Sequence, residues 1–388
     1  MKTTKVYFVF ILFLIGWSCN NDPLNRVPVA YLPAVQQALQ RAGENQRALL
    51  EFLKACKGQE MEGAAFLLAY MPQRDLQSLS PEFLIENIKY AYQARKVAPW
   101  GDRLPDSIFF NYVLPYASIH ERRDDWRKQF YERFLSLVKN ASSPGEAAVI
   151  LNEKIWDMLD VHYSTKRPKA DQSPFESIEA GMASCTGLSI LLVDACRAVS
   201  VPARFVSAPM WYDDSGNHSW VEIWDNGWHF IGAGEPGPLD ETWFVDIAGH
   251  ANKRDWKYRI YAVSYKKTAL QFPDFFAPAV DYLYAIDVTD RYSRTPSQLQ
   301  GQNVALRIKV LDRKSGQRLA LPVRLFSGKT LIASGRSRGE RSDLNDVLTF
   351  KAPPGAVLTV EVINNGKKIT RQLKTGSEKI QQVILEVD

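Results

Sequence analysis

The sequence predicts an α+β protein: a helical N-terminal region, a mixed helix-and-strand core and a C-terminal antiparallel β-sandwich. Between residues 31 and 141 apolar side chains recur at intervals of three and four, which is typical of one face of a helix. Between Val304 and Val310 apolar and basic residues alternate instead, as they do along a half-buried strand. Asn365-Gly366 lies between two such alternating runs and predicts a hairpin turn.

A chain of 388 residues with 46% hydrophobic residues is long enough for two or three domains. Changes in pattern along the chain predict six segments. They are a signal peptide at 1–18, a tether at 19–30, a helical region at 31–141, the core at 142–265, a connector at 266–300 and the sandwich at 301–388.

The first residues form a targeting segment. Lys2 and Lys5 precede an apolar run from Val6 to Ile15, which is too short to span a bilayer as a mature helix, and Cys19 follows soon after. This arrangement resembles a bacterial lipoprotein signal, and the resemblance implies that Cys19 is lipidated. The chain is then expected in the bacterial cell envelope, anchored on the periplasmic or surface face. The alternative is an ordinary secretory signal in which Cys19 has no special part.

The net charge of +5 is too small to indicate a nucleic-acid partner. Residues 301–388 carry 16 basic and 8 acidic residues, whereas the rest of the chain after Ser18 has a net charge of −5. The basic sandwich therefore either faces an anionic envelope polymer or lipid head groups, or docks on the acidic body.

The four cysteines are too few for a disulfide scaffold, and none has metal-ligand spacing, so neither a metal nor another cofactor is predicted. Cys185 and Cys196 are eleven residues apart on a predicted helix, about 16 Å at helical rise, and cannot pair. Cys56 and Cys196 are expected to be buried packing residues.

Cys185 is the candidate nucleophile. Ser184 is a good N-cap, and an apolar stripe follows it, so Cys185 lies in the first turn of a mostly buried helix. There the free N–H groups and the positive end of the helix dipole stabilise a thiolate.

A candidate partner follows about thirty residues later. His218 opens a strand that runs to Trp224, and a tight turn at residues 225–227 leads into a second aromatic strand from Trp228. A lone histidine on a strand is usually structural. In this order, however, a helix-capping cysteine and a hairpin histidine can be brought to one cleft as a Cys–His pair.

With Cys185, the Val201–Arg204 segment, the His218–Glu222 strand and the Gly227-Trp228 turn, the sequence resembles the transglutaminase-like superfamily of papain-type thiol enzymes. The resemblance implies a core helix packed on an antiparallel sheet, with Cys185 as nucleophile and His218 as general base. It also implies that the backbone N–H of Cys185 contributes to an oxyanion hole, and that the substrate is a peptide or protein amide. Hydrolysis is expected rather than transfer to an amine, by analogy with bacterial members of the family.

The third catalytic group departs from the family pattern. Relatives commonly carry an Asp at the position of Gly232, where this chain has none. Glu235 is the preferred substitute, and Asp240 is the next choice. The alternative is that these loop acids are solvated and another group orients His218. Glu222 lies about 13 Å along the strand from His218 and is expected to be structural.

The resemblance also suggests Asn152 and Trp156 as donors to the oxyanion, although packing is the simpler interpretation of Trp156. Two non-catalytic alternatives stay open: a binding module for protein or polysaccharide partners, and a structural envelope lipoprotein. The absence of an acid at Gly232 favours the binding module, whereas the retained Cys185 and His218 favour an enzyme.

Overall fold

The computed structural model of the chain describes residues 22–273, 284–294 and 303–388. The predicted signal peptide and Cys19 lie outside these residues, as do parts of the predicted connector. Within the described ranges no helix combines the length and apolar character needed to cross a bilayer.

The N-terminal region is helical, and serine caps with prolines in the first turn explain several of its helix starts. Ser80 accepts a hydrogen bond from the backbone of Phe83, and Ser143 accepts one from Glu146. The helices are α1 (Leu32–Arg41), α2 (Gln46–Ala55), α3 (Gln59–Tyr70), α4 (Gln73–Ser78), α5 (Pro81–Val97), α6 (Asp106–Tyr112), α7 (Trp126–Val138) and α8 (Pro144–Leu159). Short 3₁₀ turns lie at Pro23–Arg26, Gly43–Asn45, Gly101–Arg103 and Trp256–Tyr258.

Part of the predicted tether is packed on this region. The guanidinium of Arg26 donates to the carbonyl oxygens of Leu53, Lys54 and Cys56 at the end of α2, and Val27 is buried. The last carbonyls of a helix lack partners within the helix and carry the negative end of its dipole, so a nearby cation stabilises them. Residues 23–27 of this stretch therefore pack against the end of α2.

The core consists of short helices on a six-stranded sheet of strand order β5-β4-β3-β6-β8-β7. Its elements are β1 (His162–Tyr163), α9 (Pro174–Ala180), β2 (Met182–Ala183), α10 (Cys185–Ala198), β3 (Ala203–Ala208), β4 (His218–Trp224), β5 (Trp228–Ile231), α11 (Val245–Ala248), β6 (Tyr261–Ser264), β7 (Leu270–Gln271), β8 (Tyr284–Asp287) and α12 (Thr289–Tyr292). Helix α10 packs between α7, α8 and strands β3 and β4, and residues 186–198 of it are all buried.

The C-terminal part is a β-sandwich built from two sheets, with orders β11-β10-β13-β14 and β12-β9-β15. Its strands are β9 (Val304–Asp312), β10 (Pro322–Ser327), β11 (Thr330–Arg336), β12 (Leu348–Ala352), β13 (Val357–Asn364), β14 (Lys367–Lys374) and β15 (Ile380–Val387). The apolar side of the alternation at Val304, Leu306, Ile308 and Val310 is buried in the sandwich core.

The predicted α+β class, with its helical region, core and sandwich, is confirmed, with one difference in the sandwich. Strand β15 pairs with β9 in parallel rather than antiparallel register. The intervening strands β10–β14 carry the chain across to the other sheet and back, which is the long connection that a parallel pair needs.

The sandwich docks on the core through ion pairs of the sign that the charge distribution predicts. Arg307 lies 3.5 Å from the carboxylate of Asp213, and Lys351 lies 3.3 Å from that of Asp246. The sandwich loop at residues 337–347, between β11 and β12, lies against the core. Docking on the acidic body is thus one use of the basic sandwich.

A buried ion pair ties the hairpin of the core together. Glu222 on β4 is fully buried, and its carboxylate accepts a 2.7 Å hydrogen bond from Arg204 Nε and a 2.8 Å hydrogen bond from the Tyr292 hydroxyl. The Arg204 guanidinium also lies 3.6 Å above the ring centre of Trp228. The expected structural role of Glu222 is therefore supported.

We expect Glu222→Ala to lower the free energy of unfolding by about 3–5 kcal/mol, because the substitution leaves the Arg204 charge buried without its partner. Denaturant unfolding followed by tryptophan fluorescence measures the change, since residues 301–388 contain no tryptophan. The matched control is Glu51→Ala, which removes the exposed Arg47–Glu51 pair and should cost less than about 1 kcal/mol. Equal losses in the two variants would contradict a structural role for the buried pair.

Candidate active site

Cys185 begins helix α10, as the sequence predicts. Ser184 has an extended backbone, and its hydroxyl oxygen accepts a 3.2 Å hydrogen bond from the backbone N–H of Gly187, so it is the N-cap. The side chain of Cys185 is partly exposed, whereas Cys56 and Cys196 are buried, and all three are free thiols. The prediction that Cys56 and Cys196 are packing residues is confirmed.

His218 is the first residue of β4 and is 2% exposed. Its ring is enclosed by aromatic side chains, with the centres of the Trp243 and Phe244 rings 4.8 and 5.0 Å away. Pairing of His218 with Ala208 fixes its place on the sheet. The aromatic surroundings exclude water and hold the imidazole beside the start of α10.

A third side chain, from an acid that no sequence motif indicates, completes the cluster. Asp343, in the sandwich loop, is 6% exposed, and its Oδ2 lies 3.6 Å from Nδ1 of His218. Ligand atoms of Cys185, His218 and Asp343 all lie within 4.8 Å of one another. Asp343 stands 125 residues after His218 in a different domain, and nothing in the local sequence links it to the cleft.

The charges of this cluster stabilise one another. Burial lowers the pKa of His218, but the Asp343 carboxylate and the Cys185 sulfur outweigh burial and raise that pKa well above its ordinary value. Burial raises the pKa of Asp343, but the His218 charge outweighs it, so the net pKa is lowered. The Asp343 carboxylate and the Cys185 sulfur therefore both favour the protonated form of His218.

The compactness of the cluster shows on which side of His218 the Asp343 carboxylate stands. In a Cys–His–acid relay the nucleophile and the acid bind opposite ring nitrogens, which would separate them by more than about 6 Å. Here the sulfur and the carboxylate are within 4.8 Å of each other. Asp343 therefore lies beside the sulfur rather than at the far side of the ring.

Glu235 lies close to the same cluster. Its Oε1 accepts a 2.7 Å hydrogen bond from Trp243 Nε1, and its Oε2 is buried without a hydrogen-bond partner among the described residues. Burial raises the pKa of Glu235 to about 7, although the His218 charge and the Trp243 hydrogen bond lower it. Nε2 of His218 is likewise buried and without a hydrogen-bond partner in the described part of the chain.

Glu235 occupies the space next to Gly232, the position at which the resemblance leads one to expect an acid. A Cβ added to Gly232 would lie 2.0 Å from Oε2 of Glu235. The carboxyl group thus fills the place where a side chain at position 232 would begin.

Asp240, the second choice, is bound elsewhere. Its Oδ2 lies 2.6 Å from Nδ1 of His229, and its Oδ1 accepts a 3.0 Å hydrogen bond from the backbone of Phe230. The carboxylate of Asp240 is therefore not at His218, because two residues of β5, His229 and Phe230, bind it.

The two suggested oxyanion donors bind protein groups. Asn152 Nδ2 donates to the carbonyl oxygens of Gly232 and Glu235, each at 3.0 Å, and its Oδ1 accepts from the backbone of Gly234. Trp156 Nε1 donates to the carbonyl oxygen of Asn152 at 2.8 Å. Asn152 thus holds the loop that carries Glu235, and Trp156 is hydrogen-bonded to Asn152. Their predicted role at the oxyanion stays a prediction.

A cavity of about 590 Å³ opens beside Cys185. Helix α8, the 233–236 loop and the sandwich loop line it, and Trp156, Trp243 and Asp343 are among its walls. A cavity of this size accommodates a short peptide or a side chain next to the sulfur.

The sulfur, imidazole and carboxylate donors of this cluster are also types that bind transition metals. The cysteine spacing in the sequence predicts no metal.

Comparison with known families agrees with this geometry. Residues 133–233 match the family model of the transglutaminase-like superfamily, a family of cysteine-dependent enzymes, and no curated protein matches the chain. Among solved structures, the chain is similar to a candidate cysteine protease from Cytophaga hutchinsonii, with 23% identity and a TM-score of 0.24 over 30% of this chain and 40% of that one.

It is also similar to red sea bream transglutaminase, with 8% identity and a TM-score of 0.32 over 72% of this chain and 65% of the fish enzyme. This chain thus spans less than two thirds of either solved chain. The family match covers Cys185 and His218, and it identifies residues 133–233 as a transglutaminase-like domain.

Proposed function

We propose that the protein is an envelope-anchored cysteine hydrolase that cleaves peptide or side-chain amide bonds. The observation that carries this proposal is the placement of Cys185 Sγ at a helix start within 4.8 Å of the buried His218 imidazole, whose pKa the Asp343 carboxylate raises. A thiolate next to an imidazolium is the reactive form of a papain-type nucleophile.

In the first half of the reaction, the Cys185 thiolate attacks the amide carbonyl carbon, and the carbonyl electron pair moves to oxygen. The N–H groups of the first turn of α10 stabilise that oxyanion. His218 then gives its proton to the amide nitrogen, and the C–N bond breaks. The amine departs, and the acyl group remains on Cys185 as a thioester.

In the second half, His218 takes a proton from water, and the hydroxide formed attacks the thioester carbonyl. The C–S bond breaks, and the carboxylic acid product leaves with the thiolate restored. An amine in place of water would give transfer instead. We propose hydrolysis by analogy with bacterial members of the transglutaminase-like superfamily.

We assign the orienting carboxylate to Glu235. Its Oε2 and His218 Nε2 are both buried without hydrogen-bond partners among the described residues, and the two side chains interact electrostatically. Once Glu235 is ionised, its carboxylate can accept a hydrogen bond from Nε2–H of His218. This hydrogen bond would hold the ring with Nδ1 towards the sulfur.

Selective alkylation tests the activated pair. Iodoacetamide near neutral pH should modify Cys185 at least about tenfold faster than a cysteine of ordinary reactivity, and His218→Ala should remove this advantage. Cys56 and Cys196 are internal controls, because burial raises the pKa of the Cys56 thiol to about 12 and raises that of Cys196 further. Mass spectrometry of the modified peptides gives the three rates. A Cys185 rate no higher than those of Cys56 and Cys196 would favour the non-catalytic binding module.

The role of Glu235 predicts a pH effect on His218. The His218 charge lowers the pKa of Glu235, so by the same interaction the Glu235 charge raises that of His218. Glu235→Gln should therefore shift the deprotonation of His218 to lower pH, as measured by imidazole nitrogen NMR over a pH titration. Glu241→Gln is the control, since Glu241 is an exposed acid of the same cavity. An unchanged His218 midpoint in Glu235→Gln would remove Glu235 from the site.

Anchoring through Cys19 is tested separately. In bacteria that process lipoproteins, we expect the wild-type chain in the membrane fraction and Cys19→Ser released or unprocessed, because the lipid is attached through the sulfur. Metabolic labelling with a fatty-acid analogue reads out the modification directly. Equal labelling of both forms would show that Cys19 is not the lipidated residue.

A further inference from the structure

Asp343 is held rigidly, although it comes from a loop of another domain. Arg318 donates to the carbonyl oxygens of Asp343 and Asp346, at 3.1 and 3.2 Å, and the backbone of Asn345 donates to Asp343 Oδ1 at 2.8 Å. These bonds fix the conformation of the loop and of the carboxylate within it.

The same loop is fastened to the core on both sides of the cleft. The backbone N–H of Leu344 donates to the Tyr163 hydroxyl at 3.0 Å, and Asn345 Nδ2 donates to the carbonyl oxygen of Asn217, next to His218, at 2.7 Å. Oδ2 of Asp343 accepts no hydrogen bond of normal length in the described structure, since Nδ1 of His218 is 3.6 Å away, and Asp343 is part of the cavity wall. A buried carboxylate oxygen in this position can accept a hydrogen bond from a donor group of a ligand.

The charged side chains that line the cavity indicate the sign of the charge on that ligand. Seven acidic side chains and two arginines line the cavity, and one of the arginines, Arg338, is paired with Asp346 at 2.7 Å. In a Cys185 thiolate–His218 imidazolium pair the two charges cancel, and the Asp343 carboxylate adds a negative charge beside them. A cation bound beside Asp343 would neutralise it.

We propose that Asp343 binds the α-ammonium group of the residue whose carbonyl Cys185 attacks, so that the enzyme acts on peptides at a free amino terminus. The α-nitrogen of a residue lies about 2.5 Å from its own carbonyl carbon. An ammonium hydrogen-bonded to Oδ2 therefore brings that carbonyl carbon next to a sulfur that is within 4.8 Å of the carboxylate. A blocked amino terminus would lose this charge and would place an acyl group against the carboxylate.

The amine that would accept the acyl group in a transfer reaction is not suited to binding at Asp343. A buried carboxylate favours the protonated form of an amine, and an ammonium has no lone pair with which to attack a thioester. Asp343 therefore selects the acyl donor, which deepens the proposed hydrolase function and rests on it.

Chloromethyl ketones derived from alanine test this inference without a known substrate. One reagent has a free amine and the other is N-acetylated, and the measured quantity is the ratio of their rates of alkylation at Cys185. The wild-type protein should favour the free amine by about ten- to a hundredfold, the range expected for one charge-assisted hydrogen bond. Asp343→Asn should reduce the ratio to within about twofold.

The ratio is taken within each variant, so a general change in Cys185 reactivity cancels. Glu241→Gln, which removes another acid of the cavity wall, should keep the wild-type ratio, and thermal melting checks that each variant is folded. A wild-type ratio near one, or an Asp343→Asn variant that keeps the preference, overturns the amine-binding role. Failure of both reagents to modify wild-type Cys185 selectively would instead overturn the proposed hydrolase.

Discussion

The position of helix α10 is the constraint on which the rest of the structure depends, because its first residue carries the reacting sulfur. The helix is held at its other end by buried guanidinium groups. Arg197 donates to the carbonyl oxygens of Ala117 and Ala203, and Arg127 donates to that of Arg197. Arginines that satisfy buried carbonyls in this way join the helical region to the catalytic core. The N-terminal helices are thus a support for the site rather than a separate body.

Two carboxylates near one imidazole have different surroundings, and the difference suits different tasks. Glu235 is hydrogen-bonded to Trp243, has a raised pKa and lies against Gly232, whereas Asp343 has a lowered pKa and lies beside the sulfur. Environment rather than residue type separates an acid that can orient a ring from one that can hold a cation. Asp343 belongs to the sandwich, so the selectivity proposed for this acid would depend on a domain that does not contain Cys185.

The sequence was sufficient for the features that local chemistry determines. The N-cap at Ser184, the period-two strand from His218 and the turn at residues 225–227 each follow from residue preferences, and so the Cys185–His218 pair could be predicted. Asp343 could not, because its approach to His218 depends on how two domains pack, and no periodicity or spacing encodes that. The packing of Arg26 on α2 was missed for the same reason, since a polar, proline-containing segment has the composition of a linker.

The close approach between Gly232 and Glu235 also limits how this site could have changed during evolution. Since a Cβ at position 232 would lie 2.0 Å from Oε2 of Glu235, an acid at one position excludes the present placement of the acid at the other. A lineage moving between the two arrangements would pass through a chain with a crowded pair or with no acid at all. Gly232 and Glu235 are therefore sterically coupled, and the effect of a substitution at position 232 depends on the residue at position 235.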